Sequence, residues 1–315
     1  MFKIILSKII NIVFGLSLNY LLKLLNFVVI FRVGNAIGDH VYMSNIIREI
    51  NIKTKKKILL FTNYYELFFN NPRVYKLFKF GLNSYIWFFL KSVKGFNILE
   101  FDSIHTKKQK KKHFLYFHKN NSIHICKAAS EHFNMNLNDP NIKNEFYFSE
   151  EEKKNFDTSM DLPKKFSLIQ STTKKTFTSN KDWKVEGLQK VVSYFKNINW
   201  IQIGTSRDPK LNGCTIFFDQ NLRKLAYLIY RCEFLVTYEG LFNHLANCFK
   251  KKNFLIHTGF LHLNSINYLN NIVIENNNFM NCYPCFTLHC ETHKKKFAHG
   301  LKESQVIEII EKNLN

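Results

Sequence analysis

The sequence predicts an α/β protein made of two doubly wound parallel-sheet domains facing a central cleft. Three observations predict it. Short β-branched apolar runs recur along the chain, segments of helical pattern separate them, and one polar stretch, residues 138–165, splits the alternation into two series. The 315 residues suit two domains, and a 46% hydrophobic composition is enough for real cores, which excludes wholesale disorder.

The first series opens with a buried strand over Val28–Val33, a glycine-containing loop and a helix from about His40 to Ile50. Strands over Lys56–Asn63 and Phe96–Phe101, helices over Ser84–Val93 and Ile123–Asn134, and a third apolar segment after Asn71-Pro72 complete it. The second series runs strand Phe166–Gln170, helix Val185–Lys196, strand Trp200–Ile203, helix Leu222–Tyr230, strand Phe234–Tyr238, helix Leu241–Phe249 and strand Asn253–His257. A terminal helix is expected over Ser304–Lys312. The domain boundaries that follow are 1–27 for amphipathic N-terminal helices, 28–150, a linker at 151–165, and 166–315.

The N-terminal segment is apolar but interrupted by Lys8, Asn11 and Asn19, short of the ~20 residues a membrane span needs. It reads as helices that either pack on the first domain or lie on a membrane surface, with Lys3, Lys8 and Lys23 facing anionic headgroups. The formal charge of +21 fits codon bias or a negatively charged partner, and charge alone does not choose between them. Seven cysteines, an odd number with four scattered in apolar contexts, argue for a reducing compartment.

Three loops at strand ends carry polar chemistry. In "RVGNAIGD", Gly34 and Gly38 let the backbone turn and Asp39 heads a helix. Read locally, Asp39 is a helix N-cap or a catalytic carboxylate, and the dinucleotide fingerprint is absent. In "LIQSTTKKTFTSNKDW", Ser171, Thr172 and Thr173 offer hydroxyls to phosphate while Lys174, Lys175 and Lys181 offer charge; a solvated loop is the plainer reading. In "FLVTYEGLFNHLANCF", Glu239-Gly240 turn from a strand into a helix whose first amides suit phosphate, with His244 one turn in. A lone histidine there is more often packed in a core.

Taken together with "NNPRVYKLFKF", "WIQIGTSRD" and "CYPCFTLHC", the order of these loops resembles glycosyltransferase family nine, the bacterial heptosyltransferase-like enzymes of the GT-B fold, from Val28 onward. The resemblance implies two Rossmann-like domains, with Asp39 as general base and Arg32, Gly34, Asn35 and Gly38 around it on the acceptor side. It implies that Ser171, Thr172, Thr173 and Lys181 bind the donor diphosphate, with Lys174 or Lys175 as alternatives because Lys181 stands several residues further on. It places Gly204 and Asp208 at the donor ribose, and Glu239, Gly240, Leu241 and His244 at the donor phosphates, Leu241 standing where the family has glycine.

The implied reaction is inverting transfer of a sugar, heptose among the options, from a nucleoside-diphosphate-sugar to an anionic glycolipid or other cell-surface glycan. No cofactor is expected, and the sequence has no D-x-D motif for a divalent cation. The expected location is cytoplasmic, peripheral on the inner membrane, with no nucleic-acid partner. Two other classes stay open: a basic nucleic-acid-binding protein, and a family member that binds donor without turnover. Cys282, Cys285 and Cys290, with His289, His293 and His299 nearby, form either a metal site or a packed loop. The run Thr106–Phe114 is a basic loop, either a solvated surface or an attraction for phosphorylated acceptor.

Overall fold

A computed structural model describes residues 17, 20–32, 36–79, 98–100, 123–132, 142–173, 181–276, 283–284 and 300–314. Gly34, Asn35, Lys174, Lys175, the helix expected over Ser84–Val93, the basic run, the cysteine cluster with its three histidines and most of the N-terminal segment lie outside them. The chain divides into two compact units. One comprises Met1–Asn120, Cys126–Asp139 and Glu145–Phe148, the other Asn121–Ile125, Pro140–Asn144 and Ser149–Asn315.

The first unit holds a parallel sheet of strands β1 (Phe27–Arg32), β2 (Lys57–Thr62), β3 (Val74–Lys79) and β4 (Ile98–Glu100), in the order β3-β2-β1-β4. Val29 and Phe31 pack with Leu22 from the helical turn at residues 20–24. Helix α1 (Ile37–Thr54) joins β1 to β2, and every residue from His40 to Ile50 is buried. It starts earlier than the sequence pattern implied. Its N-cap is Ala36, which has no side-chain acceptor, and Asp39 falls inside the first turn. The reading of Asp39 as the N-cap is therefore corrected: its amide donates to Ala36 O, and its carboxylate is used elsewhere. Helix α2 (Ile125–His132) follows β4 among the described residues.

The second unit is built on a parallel sheet of strands β5 (Ser167–Gln170), β6 (Trp200–Gly204), β7 (Cys214–Phe218), β8 (Phe234–Thr237), β9 (Lys252–Ile256) and β10 (Asn271–Ile274), ordered β10-β9-β8-β5-β6-β7. The connecting helices are α4 (Val185–Tyr194), α5 (Leu222–Arg231), α6 (Leu241–Cys248) and the short α7 (Leu263–Ile266), with α8 (Glu303–Leu314) at the end. Trp183, Leu188, Val191, Trp200, Phe234, Phe254, Val306 and Ile310 share one core. β7, β10 and α7 were not expected from the sequence.

The polar stretch expected as a linker carries helix α3 (Glu150–Ser159). Ser149 caps it, accepting from the Glu152 amide, and three glutamates occupy the positive first turn. No α3 residue is buried; Arg223 and Arg231 of α5 reach Glu152 and Asp157, and the Phe156 ring meets Tyr227 of α5 at 5.1 Å, so ion pairs and one aromatic contact hold the helix.

Gly187 sits in α4 where an added Cβ would lie 2.6 Å from the Trp183 ring. Gly187→Ala is expected to destabilise by roughly 1–3 kcal/mol, read as a lower urea midpoint at unchanged slope. Two buried histidines set an acid limit. Burial, with Arg32 adding repulsion, lowers the His40 pKa from 6.5 to about 4, and burial with His244 lowers that of His124 to about 3. The unfolded chain binds protons at these sites before the native one does, so their contribution is complete above pH 6.5 and is lost as pH falls below it. Between pH 7 and pH 5 each should cost about 2 kcal/mol, and His124→Gln should flatten part of that decline in urea titrations.

Candidate active site

A parallel sheet offers a ligand crevice where the strand order reverses, beyond the carboxyl ends of the two strands flanking the reversal. In the second unit β5 and β8 are adjacent although β6 and β7 intervene in sequence, so that point lies between their ends. Gln170 ties the two ends: its Nε2 donates to Thr172 O at 2.8 Å, and its Oε1 accepts from the Tyr238 amide at 3.4 Å.

The three hydroxyl residues after β5 are buried and engaged. Ser171 Oγ accepts from Gln202 Nε2 at 2.8 Å, which makes it part of the strand framework. Thr172 Oγ1 donates to Asp208 Oδ1 at 2.7 Å, and the Thr205 amide donates to Asp208 Oδ2 at 2.8 Å. Asp208 therefore clamps the β5 and β6 loops together. Gly204, at φ +149°, is required there, because a Cβ would lie 2.3 Å from Asp208 Oδ2. Thr173 donates through both N and Oγ1 to Asp182 Oδ1, at 2.7 and 2.6 Å. Sequence reasoning missed Asp182; its one signal is its place between Lys181 and the buried Trp183.

Lys181 Nζ lies 2.7 Å from Glu239 Oε1 and 4.6 Å from the centre of the Phe260 ring. The Glu239 side chain is 2% exposed, and its Oε2 has no hydrogen-bond partner among the described residues. Gly240 follows at φ +132°, ψ −149° as the residue before α6, and a Cβ there would meet nothing within 4 Å. Gly240, just before Leu241 opens α6, thus has room on its side-chain face beside a buried ion pair. His244 does not point its Nδ1 at a ligand: that atom lies 2.6 Å from the Tyr268 hydroxyl. Tyr268 was also missed, since no short-range pattern links it to α6.

In the first unit the strand order reverses between β1 and β4, and Arg32 ends β1. Arg32 is fully buried, and its Nη2 donates to Asp39 Oδ2 at 3.1 Å, where the Asp39 side chain is 19% exposed. The pair aims a partly accessible carboxylate from a rigid base. His40 Nδ1 lies 3.0 Å from Ala36 O and its Nε2 3.2 Å from Asn63 Oδ1. With its pKa near 4, His40 is a neutral neighbour at pH 7. Gly38 lies within the first turn of α1.

Among the described residues no group of three or more His, Cys, Asp or Glu side chains could hold a metal ion, and no helix is long and apolar enough to cross a membrane.

No protein-family model and no curated protein matches the chain. Solved structures do. A family 9 glycosyltransferase of Veillonella parvula superposes with a TM-score of 0.65 at 14% identity, over 92% of this chain and 97% of that one. The iron-containing, dodecameric glycosyltransferase TibC of enterotoxigenic E. coli gives 0.65 at 12% identity, over 92% of this chain and 77% of that one. The E. coli heptosyltransferase WaaC with ADP gives 0.59 at 12% identity, over 91% and 99%. At these identities the likeness is one of fold: the chain has a family 9, heptosyltransferase-like fold.

Glu239 neutralises the Lys181 ammonium that an anion at the α6 head would use. Glu239→Gln should therefore tighten binding of inorganic pyrophosphate by about fivefold, close to 1 kcal/mol, in calorimetric titrations. Unchanged or weaker binding by a folded variant would count against an anion site at this position.

Proposed function

We propose that the protein is an inverting glycosyltransferase that moves a sugar from a nucleoside-diphosphate-sugar to a cell-surface glycan acceptor without a metal. The observation that carries this reading is the convergence of Thr172, Thr173, Lys181, Glu239 and Gly240 on the strand-order reversal of the second sheet. The fold adds support, since the solved structures it resembles are named glycosyltransferases and heptosyltransferases, one of them holding ADP. Heptose and a lipopolysaccharide-type acceptor are the donor sugar and acceptor this reading favours. It takes the GT-B form: an acceptor-side Rossmann-like domain over 28–150 and a donor domain over 166–315.

The chemistry follows from charge. The donor diphosphate carries negative charge that grows as the bond from anomeric carbon to phosphate oxygen breaks. The open backbone amides at the head of α6 and the Lys181 ammonium receive it. Lys181 shifts from Glu239 toward the phosphate, and Glu239, left buried beside the sugar, accepts from its hydroxyls. Asp208 keeps the Thr172 loop in place and meets the ribose with its remaining acceptor capacity. On the acceptor side Asp39, held in direction by Arg32, takes the hydroxyl proton. The acceptor oxygen then bonds to the anomeric carbon from the face opposite the departing nucleoside diphosphate, which inverts the configuration. The enzyme works peripherally on the cytoplasmic face of the inner membrane.

Thermal-shift titration with ADP-, UDP- and GDP-sugars should raise the midpoint for one nucleotide class. With that donor, Asp39→Asn should lower kcat by about 10²-fold or more while donor affinity stays within about twofold. Transfer should persist after treatment with a chelator. A protein that binds no nucleotide, or an Asp39→Asn variant with undiminished kcat, would sink the reading.

A further inference from the structure

The first unit carries a second surface, at the end of its sheet away from Asp39. The helical turn at residues 20–24 enters β1 with Leu22 facing the sheet, 6% exposed, while Tyr20, Leu21, Leu24 and Leu25 face out, Leu24 at 65%. Such a leucine cluster is more than the scattered apolar residues of an ordinary surface. Beside it lies the α1–β2 connection, which presents Lys53, Lys55, Lys56 and Lys57.

Hydrogen bonds weld the two segments together. Asn26 Nδ2 donates to Lys55 O at 3.3 Å, and the Lys57 amide donates to Asn26 O at 2.9 Å. The lysine connection is itself braced: Asn51 Nδ2 donates to Lys56 O, and the Lys56 amide donates to Thr54 Oγ1. Lys57 Nζ sits over the rings of Phe27 and Tyr75, at 5.7 and 4.9 Å, and the Tyr75 side chain is exposed. Ile52 is exposed on the last turn of α1. Lys23 adds a further positive charge between the outward leucines.

The charge has one sign. Residues 17–38 and 50–65 contain no Asp or Glu, and Glu49, one turn before the connection, pairs with Arg48 and Lys53. Exposed leucines joined to a run of lysines, with exposed Tyr20 and Tyr75 on the same segments, match the layers of an anionic lipid surface. Leucines enter the acyl boundary, tyrosines sit at headgroup depth, and lysines meet the phosphates.

We propose that this face docks on an anionic bilayer, through Leu21, Leu24 and Leu25 together with Lys23, Lys53, Lys55 and Lys57. The inference names the surface behind the peripheral membrane location proposed above and rests on that part of the reading; vesicle binding and glycosyl transfer can fail separately, because no residue of the face belongs to the proposed active site. β1 is six residues long, so the face and the carboxyl end of β1, where Arg32 holds Asp39, are separated by about 20 Å along the strand. Binding and chemistry use different ends of the unit.

The test is co-sedimentation of the full chain with phosphatidylcholine vesicles with and without phosphatidylglycerol. The wild type should bind the anionic vesicles, release with rising salt, and leave neutral vesicles unbound. Lys23→Gln/Lys53→Gln/Lys55→Gln should weaken binding by about fivefold per lysine. Leu21→Ser/Leu24→Ser/Leu25→Ser should weaken it at least about tenfold, with the far-ultraviolet circular dichroism of the wild type. The proposal is overturned if both variants bind like wild type, as they would if another basic segment did the binding. It is overturned too if the leucine variant converts a dimer to a monomer in light scattering while vesicle binding is unchanged, which would make the face a self-association surface. Retention of nucleic acid that depends on the lysines alone, without vesicle binding, would also overturn it.

Discussion

The second unit depends on one topological constraint: β5 and β8 lie side by side but are separated in sequence by two strands that run to the other flank. Connections that leave in opposite directions cannot fill the space above the two strand ends. Gln170 bridges that gap from below, with one amide atom on Thr172 O and the other on the Tyr238 amide. Everything that follows each strand is then set in register. The β5 continuation is pinned by Asp208 and Asp182, and the β8 continuation presents Glu239 and the head of α6. The polar loops sit where they do because the sheet leaves them nowhere else to converge.

Charge in both units is held in pairs at strand ends. Arg32–Asp39 follows β1, and Lys181–Glu239 joins the two continuations beside β8. Buried pairs of this kind are weak stabilisers, because desolvating both ions costs about as much as their attraction returns. Their positions make more sense as devices for aiming charge. The guanidinium of Arg32 is buried while Asp39 keeps some exposure, so the rigid partner is inside and the partly accessible one is at the surface. The second pair reverses the arrangement: the carboxylate is the more buried partner, and the ammonium, 18% exposed, is the one able to move toward an anion.

Much of this order was legible in the residues, and the failures have physical causes. β1, β5, β8 and β9 announce themselves as apolar runs because parallel strands are covered on both faces. β7 and β10 are edge strands, half-covered and flanked by Asn and Gly, so their short runs looked like loop. The start of α1 was misplaced because Ala36 caps it without a side-chain signal, leaving Asp39 as the residue that looked like a cap. Composition hid α3, whose packing rests on Arg223, Tyr227 and Arg231, contributed about seventy residues later. At the site, the residues following each strand could be named from sequence. Asp182 and Tyr268 could not, since their roles come from partners that no periodicity connects.

The same limit covers the buried asparagines, whose partners no periodicity connects. Several are buried in the second unit and form directional contacts around α6. Asn243 Nδ2 donates to Ile266 O, and Asn253 Nδ2 donates to both Asn243 Oδ1 and Asn271 Oδ1. Asn247 Oδ1 accepts from the Asn144 amide, and Asn144 Nδ2 donates to His244 O and the Tyr268 hydroxyl. Apolar packing alone would let an eight-residue helix slide or rotate at little cost, because dispersion contacts are not directional. Side-chain hydrogen bonds of Asn243, His244 and Asn247 fix its rotation and its distance from β9 together. Fixing the rotation also fixes the direction of the amides at the helix head, so any anion met there would find them already aimed.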